Sequence, residues 1–251
     1  MVLATNESLY AWMDEGFTNY AAERVQNFLE GNPLETNRNY YRTYFYIVNK
    51  KEEEPLTTHA DHFVTNRAYS IASYIKGSIF LDQLGYIVGD KVRDEILLAY
   101  FQKYKFKHPT CDDLIKIAEQ VSGMQLKWYK ELWVNSIKTI DFGISNVSLS
   151  ENDKTKIEIM RSQEGVMPLD LLVTLTNDKK VFVHIPLYYT YASKTENPIK
   201  NSEKIVLEPQ SWISPKTLIE IPLDYKSIKE IQIDPTSRMA DINPNDNSWK
   251  K

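Results

Sequence analysis

Trp12-Met13-Asp14-Glu15-Gly16-Phe17-Thr18-Asn19-Tyr20 sets an acidic pair inside an aromatic-rich pattern of helical period. Trp12, Phe17, Tyr20, Ala21, Val25 and Phe28 fall on one face of the predicted helix, and Gly31-Asn32-Pro33 ends it. Farther on, Tyr74-Ile75-Lys76-Gly77 lies in another helical stretch, built on Ile71, Tyr74, Ile75, Ser78, Ile79 and the run 81–87.

The helical period extends on both sides of these segments. Residues 40–48 read as an aromatic-rich helix, and the charge run 50–54 as a solvated loop. Gly89-Asp90 breaks the chain before a face of Val92, Ile96, Leu97, Tyr100 and Phe101. Thr110 followed by Asp113 approximates a capping box for a helix through Leu114, Ile117, Ala118 and Val121, which Gly123 closes. Leu126, Tyr129, Leu132 and Trp133 form the last helical stripe. After Phe142 the period becomes two. About seven short strands then alternate with Asn-Asp, Pro and Ser-Pro turn signals, the pattern of a β-sandwich. The expected class is α+β, with a helical domain over 1–142 and a β-sandwich over 143–251 that ends in a polar tail from Asp241.

Composition narrows the partners. Sixteen Tyr, nine Phe and five Trp supply large burial energies and argue against disorder. A net charge of -4 with no long basic block gives no footprint for nucleic acid. Cys111 is the one cysteine, so no intrachain disulfide can form. No apolar run reaches membrane-spanning length. Localisation stays open between the cytoplasm and bacterial export.

The Asp14-Glu15-Gly16-Phe17 and Tyr74-Ile75-Lys76-Gly77 segments resemble those of the aminopeptidase N family, gluzincin zinc metallopeptidases with a thermolysin-like catalytic domain. The resemblance implies that Glu15 is the third zinc ligand and that Tyr74 stabilises the reacting carbonyl. It implies a pocket role for Tyr69. Many relatives carry an outer-sphere Glu seven residues after the ligand, where this chain has Ala22. Glu23, beside it, is the candidate substitute. The family implies zinc as cofactor and peptides as substrates, cleaved at their N-terminal residue.

No His-Glu-x-x-His occurs in the sequence. In the family about 18 residues separate its second His from the Glu ligand, and 14 residues precede Glu15 here. The chain therefore reads as the C-terminal portion of a longer peptidase, inactive and without stoichiometric zinc by itself. Its apolar face 12–28 is expected to be partly bare, with Trp12, Phe17 and Tyr20 the exposed aromatics and a route to self-association. The rival reading is a non-catalytic helical-plus-β binding module derived from a peptidase.

Other candidates carry less. His59-Ala60-Asp61-His62 lacks a second ligand pair and reads as a loop. His108 and His184 read as turn and strand residues. Residues 241–247, Asp-Ile-Asn-Pro-Asn-Asp-Asn, have the composition of a calcium loop without an EF-hand's central Gly and terminal Glu. Neither a Gly-x-Ser-x-Gly nor a Cys/His pairing supports nucleophilic catalysis.

Overall fold

The computed structural model describes residues 2–32, 36–151 and 153–251. The chain is α+β and divides into two compact units, Met1–Ile137 and Lys138–Lys251. The sequence period changes at Phe142, which is the first residue of the first strand.

In the helical unit, α1 (Glu7–Leu29) begins at Asn6, whose side chain accepts from the N–H groups of Ser8 and Leu9. It ends with Gly31 at a positive φ; Pro33, the other part of the expected stop, lies outside the described residues. Next come α2 (Arg38–Lys50), capped by Asn37, and the short α3 (Asn66–Ser70), capped by Thr65. The chain then widens into a π-helix, Ile71–Lys76, before tightening into α4 (Gly77–Val88). α5 (Asp90–Tyr104), α6 (Cys111–Ser122) and α7 (Lys127–Trp133) complete the unit. The Thr110 N–H donates to the Asp113 carboxylate at 2.9 Å, closing one half of the capping box that starts α6.

α4 is buried along nearly its whole length, as a helix apolar all round must be. On one side α1 crosses it backbone to backbone: a Cβ added at Gly16 would stand 2.7 Å from Cα of Gly77, nearer than real side chains come. On another side Tyr129 of α7 stacks on Phe80 at 4.8 Å and donates its hydroxyl to the Phe80 carbonyl at 2.8 Å. The Trp133 indole N–H donates to the Lys76 carbonyl at 3.2 Å.

The tight crossing corrects the expectation of bare aromatics on α1. Trp12 is 1% exposed, edge-on to Phe80 at 5.1 Å, and Tyr20 is buried. Phe17 is half-buried against Trp12 and Tyr100. Once Gly16 touches Gly77, the flanking aromatic rings have nowhere to lie but against α4 and α5. The apolar side chains that α1 does expose lie toward its ends: Leu9, Val25, Phe28 (72%) and Leu29.

The β unit holds eight strands among the described residues: β1 (Phe142–Leu149), β2 (Lys154–Arg161), β3 (Leu169–Leu175), β4 (Lys180–Ile185), β5 (Glu203–Val206), β6 (Lys216–Asp224), β7 (Ile228–Ile233) and β8 (Ser248–Lys250). They form a three-stranded sheet, β1-β2-β6, and a five-stranded sheet, β5-β4-β3-β7-β8. Every pairing is antiparallel except β4 with β5. Period-two alternation buries Val147, Ile157, Ile159, Ile219 and Ile221 from one sheet. Leu171, Val173, Val183, Ile231 and Ile233 are buried from the other, and together the two sheets make the β-sandwich.

The polar tail from Asp241 is not a surface appendage. Asp241 is buried and accepts the Phe142 N–H at 3.0 Å, the Ile242 N–H donates to the Ile140 carbonyl, and β8 pairs with β7. Asp and Asn in that stretch bond to backbone rather than to water, which polarity alone does not reveal.

One charged pair sits deep in the helical unit. Lys76, 1% exposed, places Nζ 2.5 Å from Glu53 Oε1, 3.3 Å from the Ser136 carbonyl and over the Trp133 ring. Burial pushes the Lys76 ammonium down and the Glu53 carboxyl up, and each opposes the shift of the other. Removing one member leaves an uncompensated buried charge, so Glu53→Ala is expected to cost about 3–5 kcal/mol in urea unfolding. The double change Glu53→Leu with Lys76→Met is expected to recover most of that loss.

Candidate active site

Glu15 lies one residue before the Gly16 contact, and Tyr74 three residues before Gly77. Because the two glycines touch, the helices that carry these side chains cannot separate at this level. The Asn19 side-chain amide reaches the Tyr74 carbonyl at 3.5 Å, a long contact one turn beyond Glu15. Tyr74 sits inside the π-helix, whose wider turn rotates side chains relative to α-helical spacing. The result brings the two predicted residues near each other, with the Glu15 carboxylate the leading influence on the Tyr74 phenol. Both side chains are half-buried.

The electrostatics follow from that pairing. The facing Glu15 carboxylate, with burial and the Asp14 charge adding, pushes the Tyr74 phenol up to about 12. Tyr74 therefore keeps its proton at neutral pH and is a hydrogen-bond donor. Burial also lifts Asp14 above the usual carboxylate range, and the Glu7 and Glu15 charges add to the shift.

Tyr69 lies in α3, five residues before Tyr74, half-buried and edge-on to Phe63 at 5.6 Å. Its phenol is near enough to Tyr74 to contribute to that residue's shift. Glu23 goes elsewhere. Its carboxylate is hydrogen-bonded by the backbone and side chain of Asn37, at the start of α2. Its environment includes Asp82, which accepts the Tyr41 hydroxyl at 2.9 Å, and Arg24. Burial, with the Asp82 charge adding, pushes Glu23 up to about 7.

His59 and His62 lie with rings 4.9 Å apart around a short 3-10 turn, Ala60–His62. Among the described residues no three His, Cys, Asp or Glu side chains are grouped so as to hold a metal ion. A catalytic zinc takes three protein ligands and an open position, more than the expected ligand Glu15 alone provides. The residues present do not by themselves fit the metal. Alongside α1, an apolar groove of about 560 Å³ is lined by Val2, Leu3, Met13, Phe17, Leu97 and Phe101.

The signal that sequence reading passed over is the pair of glycines. Both stand inside the motif segments, but their role is to touch each other across 60 intervening residues. A single sequence does not display that contact.

Residues 5–133, about half of the chain, match the model of the peptidase family M1 domain. Aminopeptidase N of Streptomyces lividans is 26% identical over 137 residues, which cover 50% of this chain and 15% of that protein. Human aminopeptidase B is 32% identical over 114 residues, covering 41% of this chain and 17% of that protein. The crystal structure of Legionella pneumophila aminopeptidase A in complex with aspartic acid shares the fold across 95% of this chain and 24% of its own. Its TM-score is 0.56, at 12% identity. The chain thus spans less than a fifth of the length of these two sequence relatives.

Glu23 provides a test of the electrostatics. Its folded-state pKa of about 7 lies above the ordinary 4.5. Its contribution to stability is therefore complete below about pH 4.5 and is lost as pH rises through about 7. Urea unfolding of wild type and Glu23→Gln across pH 4–8 is expected to show a falling contribution in the wild type that the variant lacks. Parallel profiles would contradict the assigned environment.

Matched over residues 5–133 by the M1 domain, the chain belongs to peptidase family M1.

Proposed function

We propose that this chain is the part of a zinc-dependent aminopeptidase that supplies one metal ligand, Glu15, and one carbonyl-stabilising donor, Tyr74. The observation that carries this reading is the Gly16–Gly77 crossing, which holds the helices of those two side chains against each other, with Glu15 the leading influence on the Tyr74 phenol. The family match supports a peptidase, and peptides are the substrate class that follows from it. The bound metal would activate water and polarise the peptide carbonyl, with its other ligands coming from a His-Glu-x-x-His segment outside the given sequence.

The residues of this chain have definable tasks. Tyr74, protonated and held against Glu15, donates to a carbonyl oxygen whose negative charge grows as the bond is attacked. With a metal held by Glu15, the phenol would be free of that carboxylate and available to the substrate. Tyr69, beside Tyr74, shapes the pocket wall. Glu23 orders the start of α2 through Asn37 rather than reaching the reacting centre. In the isolated chain the apolar groove beside Met13 and Phe17 is the surface for self-association, which light scattering measures.

The direct experiment is to express the chain joined to an upstream segment carrying His-Glu-x-x-His and to measure zinc content and aminoacyl-nitroanilide cleavage. The joined protein is expected to hold zinc and cleave; the isolated chain is expected to do neither. Tyr74→Phe in the joined protein is expected to lower kcat about 10²–10³-fold with zinc retained. Glu15→Ala is expected to lose the metal. Unchanged turnover by Tyr74→Phe would make the phenol structural, and a joined protein that binds peptides without cleaving them would favour a binding module.

A further inference from the structure

The β unit carries a cluster that peptidase chemistry leaves unused. Residues 241–247 fold against the start of β1, with Asp241 at the centre. Its two oxygens are committed: Oδ2 accepts from the Phe142 N–H at 3.0 Å and the Asn247 side-chain amide at 3.3 Å, and Oδ1 accepts from the Asn243 N–H at 2.9 Å. The neighbouring acceptors are not committed. Oδ1 of Asp141, Oδ1 of Asp246 and Oδ1 of Asn247 are buried without a hydrogen-bond donor from the protein. Asp141 is 6% exposed and Asn247 8%.

These oxygens share one neighbourhood. Along the extended chain Asp141 and Gly143 point to the same side. The Asp246 carboxyl occupies the place where a side chain of Gly143 would begin, its Cγ 2.6 Å from that position. Asp246 therefore stands next to Asp141, and its charge adds to burial in lifting the Asp141 carboxyl. Asp246 Oδ2 is taken by the Asn243 amide at 3.0 Å, leaving Oδ1 free of it. The Asn247 amide has a defined orientation, because its NH₂ group donates to Asp241; the reverse would set oxygen against carboxylate oxygen. Its carbonyl oxygen is thus a buried acceptor without a donor.

A buried acceptor without a donor costs about 1–3 kcal/mol, and adjacent carboxylates repel in addition. What this arrangement lacks is positive charge. We propose that Asp141, Asp246 and Asn247 bind a divalent cation of the calcium class, through two carboxylate oxygens and one carboxamide oxygen. An all-oxygen set completed by water suits a hard cation that takes 6–8 oxygen ligands, and not zinc, which prefers nitrogen and sulfur. The third protein ligand is a carboxamide, and both Asp241 oxygens already accept hydrogen bonds, from Phe142, Asn243 and Asn247. Among the described residues, accordingly, no three His, Cys, Asp or Glu side chains form a metal group here.

The test uses the full chain, stripped with a chelator and titrated with CaCl₂ by calorimetry while Tm is followed. Saturable one-to-one binding is expected, with Kd of about 10⁻⁵–10⁻³ M, and a Tm that rises with calcium. Asp141→Asn and Asp246→Asn, with folding confirmed by circular dichroism, are expected to weaken binding about tenfold or more, since ligand charge sets affinity. The wild type gives a second readout should a variant not fold. The Trp212 ring lies 5.2 Å from that of Phe142, so it should sensitise terbium luminescence that CaCl₂ displaces. Absence of saturable binding to the wild type, equal affinity in the folded variants, or tighter binding of MgCl₂ than of CaCl₂ would each overturn the proposal.

Discussion

The contact between Gly16 and Gly77 is the constraint on which the candidate site depends. Two helices approach until backbone meets backbone, which excludes any larger side chain at either position. That approach buries Trp12 against Phe80 and sets the depth at which Glu15 and Tyr74 face each other. Around it the unit is braced by groups that do not touch the site. Trp133 holds the Lys76 carbonyl, and the buried Lys76–Glu53 pair ties down the end of the π-helix. The Lys-Gly of the Tyr74 segment is thus an anchoring device: Lys76 goes inward to Glu53, and Gly77 admits α1.

The β unit solves a similar problem with charge. Strands β3 and β4 bury side chains on both faces, so Asp170 and His184 lie inside. Asp170 accepts from His184 Nδ1 at 2.7 Å and from the Lys194 ammonium, which holds its carboxyl below the usual range despite full burial. Lys194 also lies over the Phe182 ring. His184, expected to be a strand residue, is one; its partner across the β3–β4 ladder is Asp170. Asp170 and the Asp141–Asp246 neighbourhood are opposite cases: the first is neutralised by protein cations, the second by none among the described residues.

The α+β class was readable because the change from helical to alternating period is abrupt near Phe142, and each unit's apolar residues are numerous enough to make the period plain. The Glu15 and Tyr74 segments were readable because their neighbours are distinctive. Three things were not. The π-helix at Ile71–Lys76 has the same composition as an α-helix and differs only in hydrogen-bond register. The burial of Trp12 and Tyr20 depends on a crossing partner far away in sequence. The inward turn of Asp241 depends on backbone N–H groups near Ile140 and Phe142, which no local pattern announces.

The measurement that bears most directly on this account is the titration of the Tyr74 phenol, followed by NMR of ¹³C-labelled tyrosine, in wild type and in Gly16→Ala. A Cβ at position 16 would lie 2.7 Å from Gly77 backbone atoms and must push α1 away from the π-helix. The account predicts a Tyr74 pKa of about 12 in the wild type. It predicts a fall toward the ordinary 10 in Gly16→Ala, in a protein that keeps its helical circular dichroism. A Tyr74 that still titrates at about 12 in the folded variant would contradict the claim that the glycine contact holds Glu15 and Tyr74 together.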